Sequence, residues 1–106
     1  MYKRLNYHEF HSSIQEGTNL KVVQFTKNWS GACEIMTQML GDLSEVYSKD
    51  AKFYNVNIDE DKLLECEFGI LETPSILFFR SNEIVDHITG LVAKQRIKEK
   101  IESLIQ

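Results

Sequence analysis

No stretch of this sequence approaches the roughly 20 consecutive apolar residues needed to span a bilayer, none repeats at a fixed period, and none is of low complexity. These absences exclude a helical membrane anchor and a repeat array, and they leave no need for a linker or a second domain. Positive charge is also scarce, with 12 Lys and Arg against 16 Asp and Glu and a formal net charge of −4. Binding to a phosphate backbone is driven by displacing counterions with Lys and Arg, so nucleic acid is not an expected partner. Lys94, Arg96, Lys98 and Lys100 are interleaved with apolar residues at helical spacing and read as a solvated helix face. Cysteine is limited to Cys33 and Cys66, and the basic start Met1-Tyr2-Lys3-Arg4-Leu5-Asn6 leads into polar residues rather than an apolar signal core. A cytoplasmic setting with both thiols free is the expectation.

What is present fits one domain over residues 1–106. At 106 residues, 42% hydrophobic and 26% charged, the chain has the size and balance to bury a single core. Asn6 followed three residues later by Glu9 has the form of a capping box, and Phe10 and Ile14 then share one face of a first helix ending near Gly17. Leu20 to Thr26 reads as a mostly buried strand. Met36, Met39, Leu40, Leu43 and Tyr47 recur at spacings of three and four, which predicts a helix over 31–47 with the methionines as core. A strand over 52–58 and a helix over 61–68, stopped by Gly69, follow. The strands 75–80 and 84–89 are separated by Ser81-Asn82-Glu83, short enough for a hairpin. A last helix carries Ile97, Ile101, Leu104 and Ile105 on one side. His8 and His11 lie three apart on the first helix without a third ligand nearby, so they read as exposed histidines, and no metal or cofactor is expected.

Three features fall in register with one another. Trp29-Ser30-Gly31-Ala32-Cys33 follows directly on the apolar strand Val22-Val23-Gln24-Phe25, the only proline stands in Thr73-Pro74 just before Ser75-Ile76-Leu77-Phe78-Phe79, and Gly90 follows the last strand. The segment resembles the Trp-Cys-Gly-Pro-Cys active-site turn of the thioredoxin family with its leading cysteine changed to serine, and the resemblance runs from about residue 20 to 104. It implies the thioredoxin fold, an α/β arrangement with a central mixed β-sheet flanked by helices on both faces. It also implies a cis bond before Pro74 facing the turn; X-Pro bonds are the only kind for which cis is cheap.

The resemblance assigns the site residue by residue. Ser30 takes the place of the attacking thiol and Cys33 that of the resolving one, so Cys33 is the residual thiol of a dithiol pair. A serine hydroxyl without a neighbouring base is a poor nucleophile, and Ser30 reads better as a helix N-cap. Gln24 lies where the family keeps a buried proton-relaying aspartate, Asn55 where its partnering lysine stands, and Ala32 where a proline tunes the turn. Glutamine cannot serve as a base. Cys33 is either an inert core residue or a slow monothiol favoured by the positive helix end. Cys66 reads as a half-buried thiol on a helix across the sheet from Cys33.

Two classes of function follow from the likeness. In the first, Trp29, Gly31, Ala32, Thr73, Pro74 and Gly90 form a substrate-binding groove that docks a protein or peptide client in extended conformation, with little or no dithiol reductase activity. Trp29 then offers a large apolar face and Thr73 its backbone; alternatively, Trp29 merely covers the turn. In the second, Cys33 acts alone as a monothiol thiol–disulfide oxidoreductase with a small thiol such as glutathione supplying the other sulfur. Monothiol glutaredoxins, some of which hold an iron–sulfur cluster, retain the first cysteine of their motif, which places Cys33 at the wrong end for that analogy.

Overall fold

The computed structural model describes residues 2–17, 19–70 and 72–105. The elements run β1 (Tyr2–Arg4), α1 (Tyr7–Gln15), β2 (Leu20–Thr26), α2 (Gly31–Val46), β3 (Ala51–Asn57), α3 (Lys62–Phe68), β4 (Ser75–Arg80), β5 (Glu83–Thr89) and α4 (Lys94–Ile105). Local chemistry starts several of them. Asn6 and Glu9 form a complete capping box at α1, and Gly69 ends α3 in the left-handed region at φ +59, where a side chain would cost strain.

The five strands form one mixed sheet in the order β1-β3-β2-β4-β5, parallel from β1 through β2, with β4 antiparallel to β2 and β5 to β4. Strand β2 lies inside the sheet, between β3 and β4, and all of its residues except Thr26 are buried. Such a strand needs helices on both faces. On one face Met36, Leu40 and Leu43 of α2 meet Ile97 and Ile101 of α4 over Val22, Phe53, Ile76 and Phe78. On the other, Phe10 and Ile14 of α1 and Leu64 of α3 pack on Val23, Phe25, Val56 and Phe79. The expected single core is thus divided in two by the sheet. Each fully buried side chain of this size contributes about 1.5–3 kcal/mol.

Element bounds differ from expectation by a residue where a cap takes over. Tyr47 closes α2 as its C-cap, Asp61 precedes α3 as its N-cap, and the third strand spans Ala51–Asn57. The hairpin turn is tighter than expected. Ser81 and Asn82 both take positive φ, 49° and 73°, and Arg80 pairs with Glu83, so the connection is a two-residue turn of the kind whose twist matches the strands. At the turn end, α2 begins at the carboxyl end of β2, and β4 begins just after Pro74. The sheet thereby carries both motif segments.

Candidate functional site

Ser30 is the N-cap of α2: its backbone is extended at φ −122°, and its Oγ accepts the Cys33 N–H at 3.2 Å. Cys33 lies one turn into the helix and is only 3% exposed. Trp29 immediately before the cap sits in the left-handed region at φ +59 with its side chain 101% exposed. It does not cover the turn; it projects into solvent. The backbone that holds it there is pinned by polar groups of the following loop. Asp59 Oδ2 accepts the Asn28 N–H at 2.8 Å, Asn57 Nδ2 donates to Asn28 Oδ1 at 2.8 Å, and Asn57 Oδ1 accepts the Asp59 N–H at 2.9 Å.

Beneath the turn, Gln24 is fully buried. Its Nε2 donates to the Cys33 carbonyl at 3.3 Å, while its Oε1 accepts from Thr37 Oγ1 at 3.2 Å and from the Tyr2 hydroxyl. Thr37 Oγ1 also reaches the Cys33 carbonyl at 2.8 Å. Burial raises the Tyr2 phenol well above its ordinary value, against hydrogen bonds with Asn55 and Thr37 that pull it down. The network is therefore neutral throughout the physiological range, and it holds the first turn of α2 without supplying a base.

Thr73-Pro74 is a cis bond, and Pro74 is buried. The Pro74 carbonyl accepts the Gly90 N–H at 2.8 Å, which ties the loop after β5 to the loop before β4. Gly90 has φ +84, a conformation that a side chain rarely takes, and a Cβ there would meet Glu72 Oε1 at 3.5 Å. At Gly31, by contrast, a Cβ would meet nothing within 4 Å, so the space in front of the turn is open. Two cavities flank the turn. One of about 400 Å³ is bordered by Lys27, Trp29, Ser30, Cys33, Thr37 and Gln38. A second of about 310 Å³ is bordered by Lys27, Ile58, Asp59, Glu65, Glu72 and Thr73. Lys27 is common to both. The structure thus brings Trp29, Ser30 and Cys33 around one cavity and joins Pro74 to Gly90 by a backbone bond; Ala32, half-buried, borders neither cavity.

A family model described as Thioredoxin matches residues 1–103. The chain belongs to the thioredoxin family. It is 30% identical over 93 residues to a thioredoxin of Staphylococcus saprophyticus, covering 88% of each chain. It is 32% identical over 84 residues to an M-type chloroplastic thioredoxin of Pisum sativum, but spans only 49% of that protein's length. A solved thioredoxin structure from Malassezia sympodialis superposes with a TM-score of 0.89, covering 100% of this chain and 92% of that one at 21% identity, a likeness of fold.

Against this thioredoxin-family background, four features are not legible in the sequence. The Asn28–Asn57–Asp59 bonds were signalled only by Asx residues at two loop ends, and the Tyr2–Gln24 bond by nothing local. Cys66 is exposed rather than half-buried: Leu64 and Phe68 point into the core from positions two residues either side of it, which turns Cys66 to the far face of α3. His11 is half-buried rather than exposed, its Nε2 lying 3.1 Å from Glu67 Oε1, whereas His8 is exposed. Both cysteines are free, and among the described residues no group of three or more His, Cys, Asp or Glu is placed to hold a metal. No helix among them is long and apolar enough to cross a membrane.

Proposed function

We propose that this thioredoxin-family chain is a one-domain cytoplasmic protein with a degenerate redox site that docks a client segment in extended conformation and turns over disulfides little or not at all. The observation that carries the reading is the division of labour at the turn. The residue in the attacking position caps the helix, the remaining thiol is buried, and Trp29 is held in a costly conformation with its whole side chain in solvent. An aromatic face displayed in this way stabilises nothing within the chain and suits a partner. Thr73, beside the cis bond, borders the cavity on the other side of Lys27 and can lend its backbone to a bound strand, with Gly31 and Gly90 leaving room for its approach. Gln24, in its neutral network, has no proton to give or take.

A thioredoxin reductase-coupled insulin reduction assay tests the redox half of the reading. Turnover below about one hundredth of an ordinary thioredoxin is expected, since loss of the nucleophile from a catalytic unit costs orders of magnitude. Turnover near that of an ordinary thioredoxin would end it. A second reading, monothiol exchange through Cys33 with a small disulfide, draws on the cavity that Cys33 borders together with Lys27 and Trp29. In that case the Cys33 thiolate would attack the disulfide, form a mixed disulfide and release one thiolate. Peptide-level mass spectrometry after exposure to glutathione disulfide, reading Cys33 apart from the exposed Cys66, separates the two readings.

A further inference from the structure

Beneath the first turn of α2, four elements each send one polar side chain to the same place. Tyr2 of β1 donates its hydroxyl to Gln24 Oε1 of β2, Thr37 of α2 donates to the same oxygen at 3.2 Å, and Asn55 of β3 hydrogen-bonds the phenol. A charge on the Cys33 sulfur would act on that phenol, so thiol and hydroxyl share one buried neighbourhood. The Tyr2 ring lies over Gly41 of α2, where a Cβ would come within 3.9 Å of its Cδ2. From Gln24 the bonds run on to the thiol-bearing residue, since Gln24 Nε2 and Thr37 Oγ1 both donate to the Cys33 carbonyl. One glutamine therefore ties the edge strand β1 to Cys33.

The strand that delivers the hydroxyl is the shortest in the sheet. β1 has three residues where the others have six or seven, and as an edge strand it pairs with β3 alone. Beside that ladder it is anchored by the Leu5 N–H, which donates to the Asn55 carbonyl at 2.8 Å, and by an Arg4–Glu60 ion pair. Both side chains of the pair are more than half exposed, so it adds little. Segments held in this way open locally at a free energy well below that of global unfolding. What Tyr2 would leave behind is polar. Gln24, Asn55 and Thr37 can each bond water, so the vacated space fills rather than standing as an apolar void, and opening is cheaper than unplugging a dry core.

We propose that β1 is a latch on the Cys33 thiol: with Tyr2 seated on Gln24 the thiol is closed off from beneath, and release of Tyr2–Arg4 from β3 admits water and small thiol reagents to it. Cys33 then passes between an inert and a reactive state with the seating of one short strand. Tyr2 borders neither cavity beside the turn, so the latch is separate from client docking there.

Iodoacetamide labelling of the full chain, read peptide by peptide, tests the latch with the exposed Cys66 as internal reference. Tyr2→Phe keeps the ring and removes the hydroxyl, and should raise the Cys33 rate about fivefold, the effect of one hydrogen bond on a local opening. Tyr2→Ala should raise it by about thirtyfold, and the Cys66 rate should stay put in both. Exchange of the Leu5 amide, whose bond to Asn55 breaks when β1 lifts, should quicken by the same factors. Both rates should be flat up to about 1 M urea, since a local opening exposes little surface. A Cys33 rate untouched by Tyr2→Phe, one that rises without faster Leu5 exchange, or one that climbs with urea as steeply as global unfolding would overturn the proposal.

Discussion

Ser30 Oγ accepts the Cys33 N–H at 3.2 Å, so the side chain before the first residue of α2 closes that helix on its own thiol-bearing residue, at the two positions that the proposed reading takes as attacking and resolving. The two positions still have the two-residue spacing of a dithiol turn.

Restoring the thiol should therefore restore a disulfide. Ser30→Cys places a sulfur at the positive end of a 16-residue helix, where a thiolate is stabilised, and a bond from the introduced sulfur to Cys33 should form in a glutathione redox titration followed by thiol labelling. Insulin reduction should remain below that of an ordinary thioredoxin, because Gln24, Asn55 and Ala32 leave proton transfer untuned, and adding Gln24→Asp should raise it. Absence of a disulfide in the double variant would show that the turn has drifted from a redox geometry.

The cap itself has a measurable share in stability. Ser30→Ala removes the side-chain acceptor for the Cys33 N–H and should lower unfolding free energy by about 1 kcal/mol in urea titration. A change within error would mean that water satisfies the helix end as well as the serine does.

Trp29 should separate binding from folding. Its side chain is wholly exposed, so Trp29→Ala should move stability by less than about 0.5 kcal/mol in thermal unfolding. The same change should cost about 2 kcal/mol in binding of an extended client peptide at the turn, the loss typical of a buried aromatic anchor. Equal loss of both would make Trp29 a structural residue.

The tyrosines set the alkaline limit. Burial raises the phenols of Tyr2, Tyr54 and Tyr47, the last to about 12 with Glu102 accepting its hydroxyl hydrogen at 2.6 Å. The folded chain then holds protons that the unfolded chain releases near pH 10, so stability is full below pH 10 and falls as pH rises toward 12. Lys21 works the other way. It is fully buried, with its ammonium donating to the Glu16 and Gly17 carbonyls, and burial, helped by the Lys52 charge, lowers it from 10.5. Its contribution rises with pH until the unfolded value is passed. Denaturant midpoints between pH 9 and 12 should fall, and Tyr47→Phe should make the fall shallower.

At the acid end, Asp86 is the group to watch. Burial works to raise its carboxyl, but the His87 N–H and the Lys100 ammonium at 3.1 Å outweigh it and hold the group below its ordinary 3.8. The pair's contribution is present above that value and is lost as pH falls through the lowered one. Asp86→Asn should cost about 1 kcal/mol at pH 7, less near pH 2, and a loss independent of pH would assign the effect to packing.

Much of the fold was legible because its signals are local. The capping box of Asn6 and Glu9, the spacing of Met36, Leu40 and Leu43, and Gly69 as a stop each act within a turn or two of chain; α2 and α3 lie within a residue of the expected bounds, and α1 stops at Gln15, two residues before Gly17. The hairpin turn is one residue shorter than its sequence suggests because Glu83 carries no sign of whether it pairs; its partnership with Arg80 depends on Ser81 and Asn82 both entering positive φ. Lys21 was read as part of a buried strand, but the reason a lysine is tolerated there lies in the carbonyls of the preceding helix end.

By itself the sequence determined the order of the elements, the position of the Trp29–Cys33 turn, and the serine at its second place, all of which are properties of neighbouring residues. Only the tertiary structure decided that Tyr2 reaches Gln24 from 22 residues away, that Trp29 stands free of the turn, that Cys66 faces solvent, and that Lys27 borders both the Trp29 and the Thr73 cavities. The physical reason is range. Caps and periodicity are set by backbone bonds between residues three or four apart, whereas burial and cavity shape depend on which faces two distant elements turn toward each other, and that choice is made by the whole packed sheet.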